Sequence, residues 1–379
     1  MIRLESITKR FANGQVAVDA LDLEVGEGEV CMLVGPSGCG KTTTLKMINR
    51  LIEPTSGRIF LDGDDVTTVD PVRLRRRIGY VIQQVGLFPH QSVAENVGTV
   101  PRLVGWDRRR ARRRVDELLE LVGLDPRVFR DRYPHQLSGG QRQRVGVARA
   151  LAVDPPVLLM DEPFGAIDPI ARDRLQQEFL RLQGEVKKTV VFVTHDIDEA
   201  VRLGDRIAIL RQGGVLEQYA SPAEVLGRPA TPFVADFVGA DRGLKRLSVT
   251  AIDAADLATL PTVTPGASLE DARRAMDRAG SQWAVVVEDG GRLAGALSRE
   301  RAEGDGTAAD AWTPVEASVP AGATLKDAFA ELLLHDTGWV AVVGDGRFCG
   351  VLTPDALHAA IRRSAADTRP TSELGDQSG

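Results

Sequence analysis

The stretch "GPSGCGKT", residues 35–42, has the spacing G-x-x-x-x-G-K-T and stands between an apolar run and a helical pattern. Glycines so placed let successive backbone N–H groups turn toward phosphate oxygens, and a helix starting at the loop adds the positive end of its dipole. Lys41 would then reach the terminal phosphates of a nucleotide, and the Thr42 hydroxyl a Mg²⁺ ion. Asp161 ends the apolar run "VLLM", where a carboxylate can hold the magnesium shell. Glu162 stands one position on, placed to orient and deprotonate a water. His195 follows "VVFVT", a position suited to sensing a terminal phosphate. Gln83 or Gln84, in "YVIQQVGLFPHQSV", could reach metal and water from a loop. A second Gly-Gly pair opens an Arg-rich helical run in "LSGGQRQRVGVARAL", residues 137–151. The chain therefore carries two phosphate-cradling loops where one nucleotide needs one.

These residues need a scaffold that brings distant loops to one edge. "EVCMLVG", "VLLMDEP" and "TVVFVTHD" are short apolar runs without alternation, as buried parallel strands are, and helical patterns separate them. That combination predicts an α/β domain with a largely parallel sheet. In "WDRRRARRRVDELLELVGL", Val115, Leu118, Leu119 and Val122 fall at helical spacing, so its arginines are expected on a solvated helix face. Ser221-Pro-Ala-Glu224 reads as a helix start, with Ser as cap and Glu three residues later. Residues 227–243 read as a docking segment and linker.

Beyond the linker lies an internal repeat. "VTPGASLEDARRAM" (263–276) matches "VPAGATLKDAFAEL" (319–332) at an offset of 56 residues. "WAVVVEDGGRLAGALS" (283–298) then matches "WVAVVGDGRFCGVLT" (339–353). Each copy reads as helix, strand, Asp-Gly turn and strand, and two copies this short should pack together as one module. Trp283 and Trp339 open apolar strands and are expected in the core.

Composition narrows the function classes. Of 379 residues, 43% are hydrophobic and 26% charged, ordinary globular values, and no apolar run approaches the span a membrane helix needs. The beginning "MIRLESITKRF" shows no apolar stretch of the kind a secretory signal has. Cys31, Cys39 and Cys349 form no metal or redox spacing, so a reducing compartment is expected. Residues 1–241 hold 33 Lys and Arg against 33 Asp and Glu, and residues 242–379 hold 14 against 20. Neither part offers the broad basic surface that duplex DNA demands, so no nucleic-acid partner is expected.

The order of the motifs resembles an ABC transporter nucleotide-binding subunit across residues 1–240. The resemblance implies that Gly35, Pro36, Ser37, Gly38, Cys39, Gly40, Lys41, Thr42 and Thr43 form its Walker A loop. It implies a Q-loop at Gln83, a Walker B strand ending at Asp161, a catalytic carboxylate at Glu162, a D-loop at Asp168 and a switch histidine at His195. Metal would fall to Thr42, Gln83 and Asp161. Phe11 stands where the family stacks a tyrosine on adenine, keeping the ring face and losing the hydroxyl. Residues 137–141 are similar to the family's signature. In that family two copies stack head to tail, so Ser138, Gly139, Gly140 and Gln141 would cradle the nucleotide of the second copy. The second loop serves a second molecule.

"GPSGCGKTTTLKMINRLIEPTSG", "LLMDEPFGAIDPI" and "VFVTHDIDEA" resemble the quaternary-amine branch, which imports glycine betaine, choline, carnitine or proline. The repeat resembles a tandem cystathionine-β-synthase-type (CBS) pair, the appendage of that branch. Adenosine-binding copies often end G-x-x-[ST]-x-x-[DN]; here Gly295-Ala-Leu-Ser-Arg-Glu-Arg301 and Gly350-Val-Leu-Thr-Pro-Asp-Ala356 lack the acid in register. A cyclic dinucleotide at the module's dimer interface need not use that acid.

The expected fold is thus an α/β P-loop ATPase domain of the ABC type followed by an α+β tandem CBS module. The expected boundaries are an ATPase at 1–236, linker at 237–249, CBS repeats at 250–305 and 306–363, and a disordered tail at 364–379. The expected function is the ATP-hydrolysing motor of an importer for quaternary amines, with ATP and Mg²⁺ as cofactors. Its partners would be a second copy, an integral membrane permease and, indirectly, an extracytoplasmic solute-binding protein, at the cytoplasmic face of the membrane. Quaternary ammonium is held by aromatic cages, and only 5% of residues here are aromatic, so the solute is expected to bind elsewhere. An importer of another solute, a non-transport ABC ATPase and an exporter half are the alternatives.

Overall fold

The computed structural model describes residues 1–82, 86–165, 167–335 and 338–366. They form two compact units, the first comprising Met1–Val225 and Pro229–Ala240, the second Leu226–Arg228 and the chain from Asp241 onward.

The first unit is built on a six-stranded sheet. From one edge its strands run Val215–Ala220, Arg206–Arg211, Val30–Val34, Thr189–Val193, Val157–Asp161 and Ile78–Val81. All neighbours pair in parallel except Val215–Ala220, which returns antiparallel on Arg206–Arg211. Val30–Val34, Val157–Asp161 and Thr189–Val193 are buried at every position, which is why they read as unbroken apolar runs. Their C-terminal ends lie side by side, where open parallel sheets present their loops to ligands. A second, four-stranded sheet places Ile2–Arg10 between Val16–Val25 and Ser56–Leu61. There alternation is visible, with Leu21, Leu23 and Val25 buried between exposed Asp22 and Glu24.

The Arg-rich segment forms the helix Arg108–Leu121, with Asp107 accepting from the Arg109 and Arg110 N–H groups. Val115, Leu118, Leu119 and Val122 are all buried, and Arg112 and Arg113 face solvent. Ser221 and Glu224 exchange the hydrogen bonds of a capping box, as their spacing implies.

In the second unit each repeat makes a three-stranded sheet beside a helix: Thr262–Val263, Trp283–Val287 and Leu293–Ser298 with Leu269–Ala279, then Ser318–Pro320, Val340–Gly344 and Arg347–Leu352 with Leu325–Leu334. The apolar clusters cross the boundaries read from the sequence. Ala308, Ala311 and Trp312 pack into the first repeat's core. Leu247, Ile252 and Leu257 pack with Val319, Leu325 and Val340 of the second. Residues 237–249 are likewise more than a linker, because they contain the helix Arg242–Leu247, whose last residue buries itself in that cluster. An apolar side chain next to an unfilled core joins it whatever the repeat register. Trp283 and Trp339 meet edge to face, ring centroids 6.0 Å apart, in a cluster shared by both repeats; Trp339 is buried there as expected, whereas Trp283 is half-buried against it.

Candidate nucleotide site

The phosphate-loop segment turns directly out of the strand Val30–Val34 and enters the helix Lys41–Ile48, with Gly40 as its N-cap in a left-handed conformation. Lys41 is buried and folds back along the loop, its Nζ donating to the carbonyls of Gly35 at 2.6 Å and Pro36 at 3.0 Å. The Cys39 N–H closes the turn onto the Pro36 carbonyl, and Gln212 Nε2 donates to the Ser37 carbonyl at 3.0 Å. Gly38, at φ 78°, completes the left-handed turns. Thr43 stands half-buried in the first helical turn.

The Thr42 hydroxyl donates to Asp161 Oδ1 at 2.9 Å, across 119 residues of sequence. Burial raises the Asp161 carboxyl above the ordinary carboxylate range, and the bond from Thr42 pulls it back down. A hydroxyl and a carboxylate oxygen at one point, with a cationic lysine nearby, are the hard donors that Mg²⁺ takes alongside phosphate. Glu162 follows in a left-handed conformation, φ 43°, unusual for a residue with a side chain. Its N–H donates to the Val193 carbonyl, and its Oε1 lies 3.3 Å from His195 Nδ1. The strands Val157–Asp161 and Thr189–Val193 are neighbours, so the acid and the imidazole leave adjacent strand ends and face each other.

Ser138 caps the helix Gly139–Ala150: its Oγ accepts from the Gln141 N–H at 3.2 Å, and Gln141 Oε1 accepts from the Ser138 N–H at 2.9 Å. Sequence reading passed over this capping box, although Ser-x-x-Gln is its signature. Asp168 caps the helix Pro169–Val186 through the Ala171 N–H at 3.0 Å. Phe11 is exposed, with Lys9 Nζ 5.5 Å from its ring centroid. Gln83 lies outside the described residues. Within the second unit, Ser298 Oγ and Thr353 Oγ1 accept from the N–H groups of Arg301 and Ala356, so both hydroxyls of the G-x-x-[ST] pattern cap the turns that follow them.

The structure thus brings the Thr42 hydroxyl, Asp161 and the Glu162–His195 pair to one edge of the parallel sheet, beside the loop bearing Lys41. That arrangement defines a P-loop nucleotide-binding protein. The ABC transporter family matches residues 18–165, and the CBS domain family matches 254–302 and 312–363. The osmoprotectant import ATP-binding protein OsmV of Salmonella typhimurium is 50% identical, over 94% of this chain and 95% of its own length. The glycine betaine/carnitine/choline transport ATP-binding protein OpuCA of Bacillus subtilis is 45% identical over the same shares. Among solved structures, a dimeric ATP-binding cassette bound to ADP and Pi in a post-hydrolysis state is similar at a TM-score of 0.53 and 37% identity, over 59% of this chain and 99% of that one. The chain belongs to the ATP-binding subunits of ABC transporters, within the group that carries paired CBS domains. As an ABC ATPase it binds and hydrolyses ATP.

Proposed function

We propose that the chain is the motor subunit of an importer for quaternary amines and related solutes such as glycine betaine, choline, carnitine or proline. The observation that carries this reading is that likeness to osmoprotectant and betaine/carnitine/choline transport subunits runs over 94% of the chain, through the CBS pair as well as the ATPase unit. The motor works at the cytoplasmic face of a membrane, driving a separate permease fed by an extracytoplasmic receptor. Among the described residues no helix is long and apolar enough to cross a membrane. The CBS pair is the regulatory part, with a cyclic dinucleotide as its candidate ligand.

In this reading the loop amides and Lys41 hold the β- and γ-phosphates, and the Phe11 ring covers adenine. Thr42, Asp161 and Gln83 hold Mg²⁺, which neutralises charge on the phosphates when bound. Glu162 accepts the proton of the attacking water, and His195 steadies Glu162 and senses the γ-phosphate. Ser138, Gly139, Gly140, Gln141 and Asp168 face the nucleotide of a second copy, head to tail.

The test is ATP hydrolysis by the transporter assembled in liposomes. A receptor loaded with betaine, choline, carnitine or proline should stimulate it. Stimulation by maltose-like sugars or by amino acids other than proline, and by none of these four, overturns the solute assignment.

A further inference from the structure

The Arg-rich run of the helix Arg108–Leu121 takes no part in the nucleotide site, and its charges are placed where they weaken the helix. Arg108, Arg109, Arg110, Arg112 and Arg113 are all exposed. The first three stand in the opening turn, which holds no acidic residue, so cations crowd the positive end of the helix dipole. Arg108 and Arg112, and likewise Arg109 and Arg113, are spaced so that like charges repel across one helix face. Among the described residues none of the five has a carboxylate partner. Asp107, beside them in sequence, is taken up by the Arg109 and Arg110 N–H groups. In this run Arg114 alone finds acids, Glu117 at 3.6 Å and Asp154 at 4.0 Å. Arginines on other helices carry their own: Arg181 pairs with Glu178 and Glu185, both at 2.5 Å, and Arg274 with Glu270 at 2.6 Å.

Two apolar groups precede the run. Leu103, which ends the helix Thr99–Leu103, is 61% exposed. The indole of Trp106 lies against Arg110, whose guanidinium carbon is 3.7 Å from the ring centroid. Beyond Arg114 the helix turns acidic at Asp116, Glu117 and Glu120, so its positive charge is confined to the first two turns.

We infer that this end of the helix is a docking surface for an anionic lipid bilayer. Guanidinium groups fit phosphate oxygens, and a polybasic stretch is drawn to a negatively charged leaflet. The exposed leucine and the indole suit the boundary between headgroups and acyl chains. A purely acidic peptide answers the arginines alone, whereas a bilayer answers both the arginines and the apolar residues before them. A nucleic acid is a poorer match, because the patch is short and the unit that bears it has balanced charge overall. The acids from Asp116 onward are repelled by the same surface, so the helix meets it end-on, N-terminus first. Lipid phosphates at that end offset the repulsion among the arginines and supply the anion that the dipole lacks.

The inference rests on the reading of the chain as a motor at the face of a membrane. Its test is co-sedimentation of the full-length isolated subunit with vesicles. Phosphatidylcholine vesicles containing phosphatidylglycerol should bind at least about tenfold more tightly than phosphatidylcholine alone. That preference should vanish as ionic strength rises from about 0.1 to 1 M, where the Debye length falls from about 10 to 3 Å. Arg108→Gln, Arg109→Gln, Arg112→Gln and Arg113→Gln together should abolish it, with the thermal midpoint held or raised. Should that variant not fold, Arg112→Gln with Arg113→Gln leaves the first turn intact and should still weaken binding several-fold. The same loss of charge in the second unit, by Arg273→Gln, Arg274→Gln, Arg278→Gln and Arg301→Gln, should leave binding unchanged. Equal binding to both kinds of vesicle, full binding by the helix variants, or an equal loss in the second-unit control overturns the inference. So does capture of polyglutamate in place of vesicles, which assigns the surface to an acidic peptide. Failure of receptor-stimulated hydrolysis while vesicle binding holds removes the solute assignment and leaves the surface standing. Absence of vesicle binding with that stimulation intact removes the surface alone.

Discussion

In the first glycine loop a Cβ on Gly35 would lie 2.1 Å from the Leu210 carbonyl oxygen, and one on Gly40 2.3 Å from that of Ala17. Both residues also have positive φ, 148° and 105°. In the second loop a Cβ on Gly139 would meet nothing within 4 Å, and one on Gly140 only Leu175 Cδ1 at an ordinary 3.7 Å. Neither has positive φ. The chain itself therefore requires Gly35 and Gly40, because its own backbone passes too close for a side chain. It does not require those of the signature loop, which begins an ordinary helix with a satisfied serine cap. Glycine at such a position lowers helix stability against alanine, so the reason for it lies outside this chain. A phosphate brought close by a second copy supplies that reason, and the difference between the loops favours the head-to-tail reading.

The comparison can be broken most forcefully at Gly40. Gly40→Ala drives a methyl into the Ala17 carbonyl and forces a left-handed backbone, costing more than about 3 kcal/mol. A large drop in thermal midpoint and loss of ATP binding by the isolated subunit should follow together. A well-folded, ATP-binding variant would show that the first loop is no more constrained than the second.

Ser138→Arg is the corresponding strike on the second loop. It places a bulky cation where a second copy's γ-phosphate must dock, so hydrolysis should vanish while nucleotide binding by the monomer survives. Mixed with Lys41→Ala subunits, such chains leave one composite site with both faces intact, and partial activity should return. Full activity of the Ser138→Arg variant alone removes the head-to-tail arrangement.

The finest test is Gly139→Ala. The fold has room for the methyl, so the thermal midpoint should hold or rise, by up to about 1 kcal/mol of helix stability. Hydrolysis should still fall, about tenfold, through crowding of the approaching phosphate. Undiminished turnover would mean that this glycine faces solvent only.

Residues 35–42, 161–162 and 195 are legible in the sequence because each lies in a short, local pattern: a glycine spacing, or an acid or histidine ending an apolar run. The parallel strands are legible for the same reason, since burial on both faces leaves no polar position. Ser138 and Asp168 stand out as motif positions but not as helix caps, although the cap spacing is there to be found. Glu199 gives no signal, because a glutamate in "DIDEA" looks like any exposed helical acid until it is buried and accepts from Gln176.

By itself the sequence determined which segments form strands and helices and which of them carry phosphate-binding chemistry, because those properties depend on side chains a few residues apart. The tertiary structure alone decided which distant residues meet. It set Thr42 against Asp161 and Glu162 against His195, gave residues 308–312 to the first repeat and 247–257 to the second, and made Glu199 a buried acceptor. Those pairings follow from the order of strands in the sheet and from which apolar surface lies nearest, and neither is encoded in any local spacing.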